Sequence, residues 1–148
     1  MQELLINNGL PALFILSFLA ATILPLGSEW LLIVLLIHNY SPIEIVSVAT
    51  IGNYLGACTT YMIGAHGSDY IMHRLLGIDQ KALTRANTLY RKYGHYSLLF
   101  SWLPIIGDPL CLVGGIFRIN FLLFSSLVSS GKLARYATLT FFTIKAMP

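Results

Sequence analysis

Two of the four apolar stretches in this chain are interrupted near their middles by proline, glycine and a carboxylate, and nothing else limits the fold as much. The first stretch runs Leu10 to Ile37 and is broken by Pro25-Leu26-Gly27-Ser28-Glu29. The third runs Tyr96 to Phe117 and is broken by Pro104-Ile105-Ile106-Gly107-Asp108-Pro109. The second (Ile43 to Ala65) and the fourth (Ile119 to Ile144) contain no proline. Proline removes a backbone donor and clashes with the preceding turn, so a helix stops or kinks there. Only 10% of the residues are charged and 56% are hydrophobic, with a mean hydropathy of +0.74. Soluble domains carry roughly 25% charged residues. A chain of 148 residues cannot bury so much apolar surface within itself, and a bilayer is the economical cover.

These features predict an all-α integral membrane protein of a single domain. The unbroken stretches match the roughly 20 residues of a spanning helix and read as two full transmembrane helices. Irregular backbone at membrane depth is tolerated only inside protein or beside a water-filled cavity. The broken stretches therefore read as two re-entrant helical hairpins, the alternative being ordinary kinked spans. The organisation is a hairpin plus span over 1–65, a polar segment over 66–95, and a second hairpin plus span over 96–148. A shift of 79 residues places Glu29 on Asp108, Gly52 on Gly131 and Asn53 on Lys132. Duplicated units with interrupted helices at matching positions are a pointer to a transport site. Met1-Gln2-Glu3 lacks a basic leader, so the first apolar segment reads as retained.

The polar segment carries Arg74, Lys81, Arg85, Arg91 and Lys92 against Asp69 and Asp79, which marks it as cytoplasmic. Asp79 is a candidate N-cap. From Gln80 onward Leu83, Ala86, Leu89/Tyr90 and Tyr93 recur at helical spacing, with Lys81, Arg85 and Lys92 elsewhere on the wheel. This predicts an amphipathic helix on the cytoplasmic leaflet, anchoring the chain or gathering anionic lipid. With hairpins that return to their own side, both termini lie outside and the hairpin tips meet near the midplane.

A charge at the centre of a span costs about 2.5–3.5 kcal/mol on insertion scales. Glu29 and Asp108 sit at the two breaks, where each can cap a helix N-terminus, act on a ligand or proton, or both. Lys132 and Arg135 lie one turn apart on one face of the fourth stretch, far from its ends. Cations so placed need partners, and the two acids are the available ones. The expected arrangement is a midplane cluster of two carboxylates and two cations. It is either a static lock or a site for an anionic head group, with Lys132 and Arg135 holding the anion. Burial disfavours an ionised carboxylate and cations favour it, so Glu29 or Asp108 is the candidate for proton exchange.

Gly52 and Gly56 form a GxxxG pair, followed by Gly64 and Gly67, while Gly114-Gly115 follows the second break. Small residues let helices approach closely in lipid. Trp30 follows the first acid and is expected to wall the cavity; Tyr61, Tyr136 and Trp102 can turn polar groups inward. Cys58 and Cys111 sit in apolar stretches and read as small buried hydrophobes rather than metal ligands. His66, His73 and His95 read as solvated. No hydrolase motif or phosphate loop is present, so neither an enzyme nor a cofactor is expected. The net charge of +3 is small, and no nucleic-acid partner is expected. A chain this short leaves little wall for a large cavity, so a homodimer is a further expectation.

Taken in order, these motifs resemble the DedA family, also called the SNARE-associated or VTT-domain family, and most of all its short YqaA-like bacterial branch. The resemblance spans nearly the whole chain. It rests on Pro25-Leu26-Gly27-Ser28-Glu29, on Gly52 and Gly56 running into Tyr61, Ile63, Gly64 and Gly67, on Pro104 with Gly114-Gly115, and on Phe124 and Gly131 at the family's spacing. It implies paired re-entrant hairpins facing one another and a bacterial inner-membrane location. It also implies movement of a lipid or other anionic amphiphile, with membrane acids linked to proton-dependent function. The alternative is a membrane-homeostasis or assembly factor that transports nothing. Larger relatives carry arginines around the second break, where this chain has Ser101 and Gly107, and an asparagine where it has Val128. Asp108, Lys132 and Arg135 look like a replacement particular to the branch, with positive charge moved from hairpin to span.

Overall fold

The computed structural model describes residues 8–22, 27–67, 80–103 and 106–146, and all regular structure among them is helical. Pro25, Pro104, Asp69, His73, Arg74 and Asp79 lie outside the described residues. In chain order the elements are α1 (Gly9–Ala20), α2 (Glu29–Ile37), α3 (Pro42–His66), α4 (Gln80–Tyr93), a 3₁₀ helix (Gly94–Trp102), α5 (Gly107–Ile116) and α6 (Phe121–Ala146).

Local chemistry sets the helix ends. Pro42 opens α3 directly after Ser41, in the turn where a missing N–H costs nothing. Asn120 precedes α6, and its Oδ1 accepts from the N–H groups of Leu122 and Leu123. Helices α2 and α5 both end in a residue with positive φ, Asn39 at 61° and Arg118 at 49°. Asn39 N–H donates to Leu36 O and Tyr40 N–H to Leu35 O; Arg118 N–H donates to Gly115 O and Ile119 N–H to Gly114 O. Each is a Schellman ending.

The two endings are the same motif 79 positions apart, and the correspondence runs through the whole chain. Leu31, Leu32, Ile45, Ala49, Gly52, Asn53, Ala57 and Tyr61 are buried, and so are Leu110, Cys111, Phe124, Val128, Gly131, Lys132, Tyr136 and Thr140. Exposed Thr59 donates back to Leu55 O, as exposed Thr138 does to Ala134 O. One apolar core gathers Leu31, Leu32, Leu35, Leu36, Ile45 and Ala49 with Tyr136 from the other half. The second gathers Leu110, Cys111, Phe124 and Val128 with Ala57 and Tyr61 from the first half. Ala57 and Tyr136 are themselves counterparts, so each half lends the same position to the other's core.

Packing follows the same rule. Helix α1 lies along α3 as the 3₁₀ helix lies along α6, and α2 touches α6 as α5 lies on α3. Tyr61 packs its ring, tilted, against Phe121 and Phe124 near the start of α6, whereas Asn53, two turns earlier in α3, bonds Tyr136 further along α6. The long helices therefore run antiparallel, and the halves are related by inversion. Gly9 lies against Leu35 and the Tyr40 ring, so α1 begins where α2 ends and the two form a helical hairpin.

The expected full spans need correction. Helices α3 and α6 have 25 and 26 residues, about 37–39 Å at 1.5 Å per residue, which is ample length. Yet among the described residues no helix is long and apolar enough to cross a membrane. The reason is polar content: Asn53, Tyr54 and Thr60 in α3, and Ser125, Ser129, Lys132 and Arg135 in α6, dilute the apolar run. Helix α4 forms at the expected place with Lys81, Arg85, Arg91 and Lys92 exposed. Its apolar side is taken by protein: Ala86 is buried, and Tyr90 stacks on Phe117 with ring centres 4.6 Å apart.

Candidate functional site

The two chain breaks deliver Glu29 to the first residue of α2 and Asp108 to the second residue of α5. Both acids stand in a first turn, where the helix dipole favours negative charge. Neither helix carries a side-chain cap at the preceding residue: Ile106 has no acceptor to offer α5, and Ser28 before α2 is otherwise engaged. Its buried hydroxyl lies 2.8 Å from Tyr136 Oη.

Lys132 and Arg135 divide between the acids. Arg135 is ion-paired with Glu29. Lys132 lies 3.8 Å from Asp108 and donates to Asn53 Oδ1. Asn53 Nδ2 in turn donates to Tyr136 Oη at 3.1 Å. A chain of contacts thus runs Asp108, Lys132, Asn53, Tyr136, Ser28, and Glu29 with Arg135 follows in sequence and space. Lys132 is only 3% exposed and its carboxylate partner 27%. Asn53 and Lys132 are counterparts in the repeat, so the centre of the network lies on the axis relating the halves.

All four charged residues line one cavity of about 30 Å³, together with Ser28, Asn53, Ser101, Leu103 and Tyr136. That volume is near the share of one water molecule in the liquid. Ser101 is buried and its hydroxyl has no partner among the described residues. Beside the cavity lies a second, mostly apolar space of about 520 Å³, lined by Glu29, Trp102, Ala134, Arg135, Thr138 and Leu139. The Glu29–Arg135 pair belongs to both linings and forms the wall between them.

Among the break residues, Gly27 is exposed beside the Glu29 carboxylate, and a Cβ there would collide with it. Gly107 is held against Ser101 O, where a Cβ would also collide, and Pro109 is buried in the first turn of α5. The packing glycines differ among themselves. A Cβ at Gly52 would stand 2.6 Å from Phe14 O, and at Gly56 2.5 Å from Phe18 O. At Gly64 and Gly115 it would strike Leu112 O and Tyr61 O, and at Gly131 it would reach Leu99 O at 3.1 Å. Gly114 meets only side chains, none nearer than 3.4 Å.

Trp30 corrects an expectation: it is 56% exposed and lines neither space. Neighbours on a helix diverge by about 100°, so an inward Glu29 turns Trp30 outward, and Trp102 supplies the aromatic wall instead. In the sequence Ser28 is a break position and Asn53 a repeat position, and the alignment of Asn53 with Lys132 is the signal that either belongs to a network. Ser101 carried no signal of burial beyond its apolar surroundings. Cys58 is half-buried and Cys111 buried; among the described residues no group of His, Cys, Asp or Glu could hold a metal ion. His66 is exposed, and His95 is half-buried against Tyr96.

The class defined by this geometry is a helical protein of two inverted halves that close a charged centre between them. The VTT domain family model matches residues 24–145, and the chain belongs to that family. It is 37% identical over 142 residues to an uncharacterized protein of Haemophilus influenzae, covering 90% of this chain and 87% of that one. It is 34% identical over 137 residues to the inner membrane protein YqaA of Escherichia coli, covering 92% of each. An uncharacterized membrane protein of Bacillus subtilis, YbfM, is 25% identical over 127 residues, 80% of this chain and 78% of its own. No solved structure matches.

Proposed function

We propose that this chain is an inner-membrane carrier that moves a lipid or other anionic amphiphile, with Glu29 and Asp108 exchanging protons or positioning the ligand. The observation that carries the reading is the shared Glu29–Arg135 wall. It places a cation and a carboxylate between a charged cavity and an apolar groove wide enough for part of an amphiphile. Arg135 takes the anionic group, bidentate where that group is a phosphate, and Lys132 takes it deeper in. Trp102 and Leu139 receive the apolar part.

A bilayer setting is supported in three ways. The relative in Escherichia coli is named as an inner membrane protein. Large apolar side chains such as Ile43 (79% exposed) and Leu122 (76%) face outward. Outward serines and threonines on the long helices are satisfied by their own backbone: Ser126 donates to Leu122 O, Ser130 to Ser126 O and Thr138 to Ala134 O. That is the arrangement a medium without water demands. In this setting the breaks are re-entrant and the polar faces of α3 and α6 turn toward each other. Helix α4 lies at the cytoplasmic face with its basic residues outward.

The small central cavity favours a second reading, in which the charged cluster is a static lock in a membrane assembly factor. A reconstituted flip assay separates the two, run across a panel of lipid phosphates with and without a pH gradient. Glu29→Gln and Arg135→Ala are each expected to abolish transport while the protein remains inserted. Wild-type transport in both variants refutes these roles, and lost stability without any transport by the native chain favours the lock.

A further inference from the structure

The 520 Å³ groove has a counterpart in the inverted half, and that counterpart is shut. Shifted by 79 residues, Ala134, Arg135, Thr138 and Leu139 become Leu55, Gly56, Thr59 and Thr60 on α3, and Glu29 becomes Asp108. The outward members agree: Leu55 and Thr59 are exposed, as are Ala134 and Thr138. The inward members differ. Arg135 and Leu139 are half-buried and line the open groove, whereas Gly56 and Thr60 are buried beneath α1. Thr60 Oγ1 donates to Ala21 O at 2.9 Å, and Gly56 sits against Phe18 O and Ala21.

The geometry points to a second mouth on the α1–α3 seam, opened alternately with the groove on the 3₁₀–α6 seam. The central cavity would then be reached from one side past Glu29 and Arg135, and from the other past Asp108 and Gly56. This rests on the transport reading and adds to it a second access route. Two halves of like construction caught in opposite states are what rocking of one repeat against the other produces. The closed seam also holds an unspent polar group. Ser17 of α1 is fully buried against Gly52, and its hydroxyl has no partner among the described residues. A buried orphan hydroxyl is a cost that an opening seam relieves. The seam otherwise depends on glycine contacts and one threonine bond, with no ion pair among its described residues.

The test is the rate of maleimide labelling of single added cysteines in the full chain in liposomes, measured against the background of Cys58 and Cys111. Leu139→Cys should label readily. Thr60→Cys should label about 10- to 1,000-fold more slowly, as expected for a minor state populated at 0.1–10%. Gly56→Ala places a Cβ 2.5 Å from Phe18 O and 2.8 Å from Ala21 Cβ, so the seam cannot close fully. It should raise labelling of Thr60→Cys and, in the same chain, lower that of Leu139→Cys. A rise at position 60 with no fall at 139 is local fraying and overturns the inference, as does a Thr60→Cys that never labels above background. Should Gly56→Ala fail to insert, Ala134→Phe, at an exposed site in the open groove, holds that side apart and should suppress labelling at 60; unchanged labelling is equally fatal. Labelling reads shape and the flip assay reads transport. Lost reciprocity with transport intact therefore removes this inference alone, and reciprocal labelling without transport removes only the carrier reading.

Discussion

Asp108→Asn and Lys132→Met, made singly and together, test whether the centre of the protein is held by paired charge. Lys132 is 3% exposed and Asp108 is 27% exposed, so the two single changes are not equivalent. Asp108→Asn strands a nearly inaccessible ammonium. Removing one partner of a buried pair costs about 3–5 kcal/mol. The 3.8 Å separation and the bond to Asn53 retain part of the support, so the lower bound of about 3 kcal/mol applies. Lys132→Met keeps the packing volume and leaves a carboxylate that is partly exposed and stands in the first turn of α5, for a cost of about 1–2 kcal/mol. The double variant carries neither charge and should fall short of the sum by about 1–3 kcal/mol. Thermal unfolding of the detergent-solubilised protein reads all three, at about 2–4 °C per kcal/mol for a chain of this size. Asp108→Asn alone should therefore lower Tm by about 6–12 °C. Additivity within about 0.5 kcal/mol, or a larger loss for Lys132→Met than for Asp108→Asn, would refute the argument.

Two further outcomes are expected in the same unfolding measurement. Gly115→Ala drives a Cβ into Tyr61 O and should cost about 1–3 kcal/mol, whereas neighbouring Gly114→Ala meets only movable side chains and should stay within about 1 kcal/mol. Arg118→Gly relieves a non-glycine residue at φ 49° and should stabilise by about 1 kcal/mol, more than Asn39→Gly, because asparagine tolerates that conformation.

The breaks at Glu29 and Asp108 were legible because proline, glycine and an acid within an apolar run have few structural meanings. The repeat was legible only through a handful of aligned residues. What makes it unmistakable is backbone geometry that sequence does not advertise: nothing about Arg118 announces a left-handed conformation. Convergence of the four charges followed from the cost of burying any of them alone. Their partition did not, since positions 132 and 135 share a helix face and periodicity cannot assign Glu29 to Arg135 and Asp108 to Lys132. The groove was invisible for a related reason. It exists where the 3₁₀ helix fails to cover α6 as α1 covers α3, and only setting one seam beside the other, Gly56 against Arg135 and Thr60 against Leu139, brings that difference out. Length alone suits α3 and α6 to a span; the polar residues spread along each, such as Asn53, Thr60, Lys132 and Arg135, keep either from being an apolar one.

The contact between Asn53 and Lys132 has a consequence for how such a chain can be assembled. A position on a two-fold axis meets its own copy. With identical halves, two amides there satisfy each other, since each both gives and accepts, while two ammonium groups repel. A single cation can occupy the point of symmetry only when the halves differ, as they do here within one chain. Lys132 is thus a charge that a pair of separate, identical subunits could not have installed.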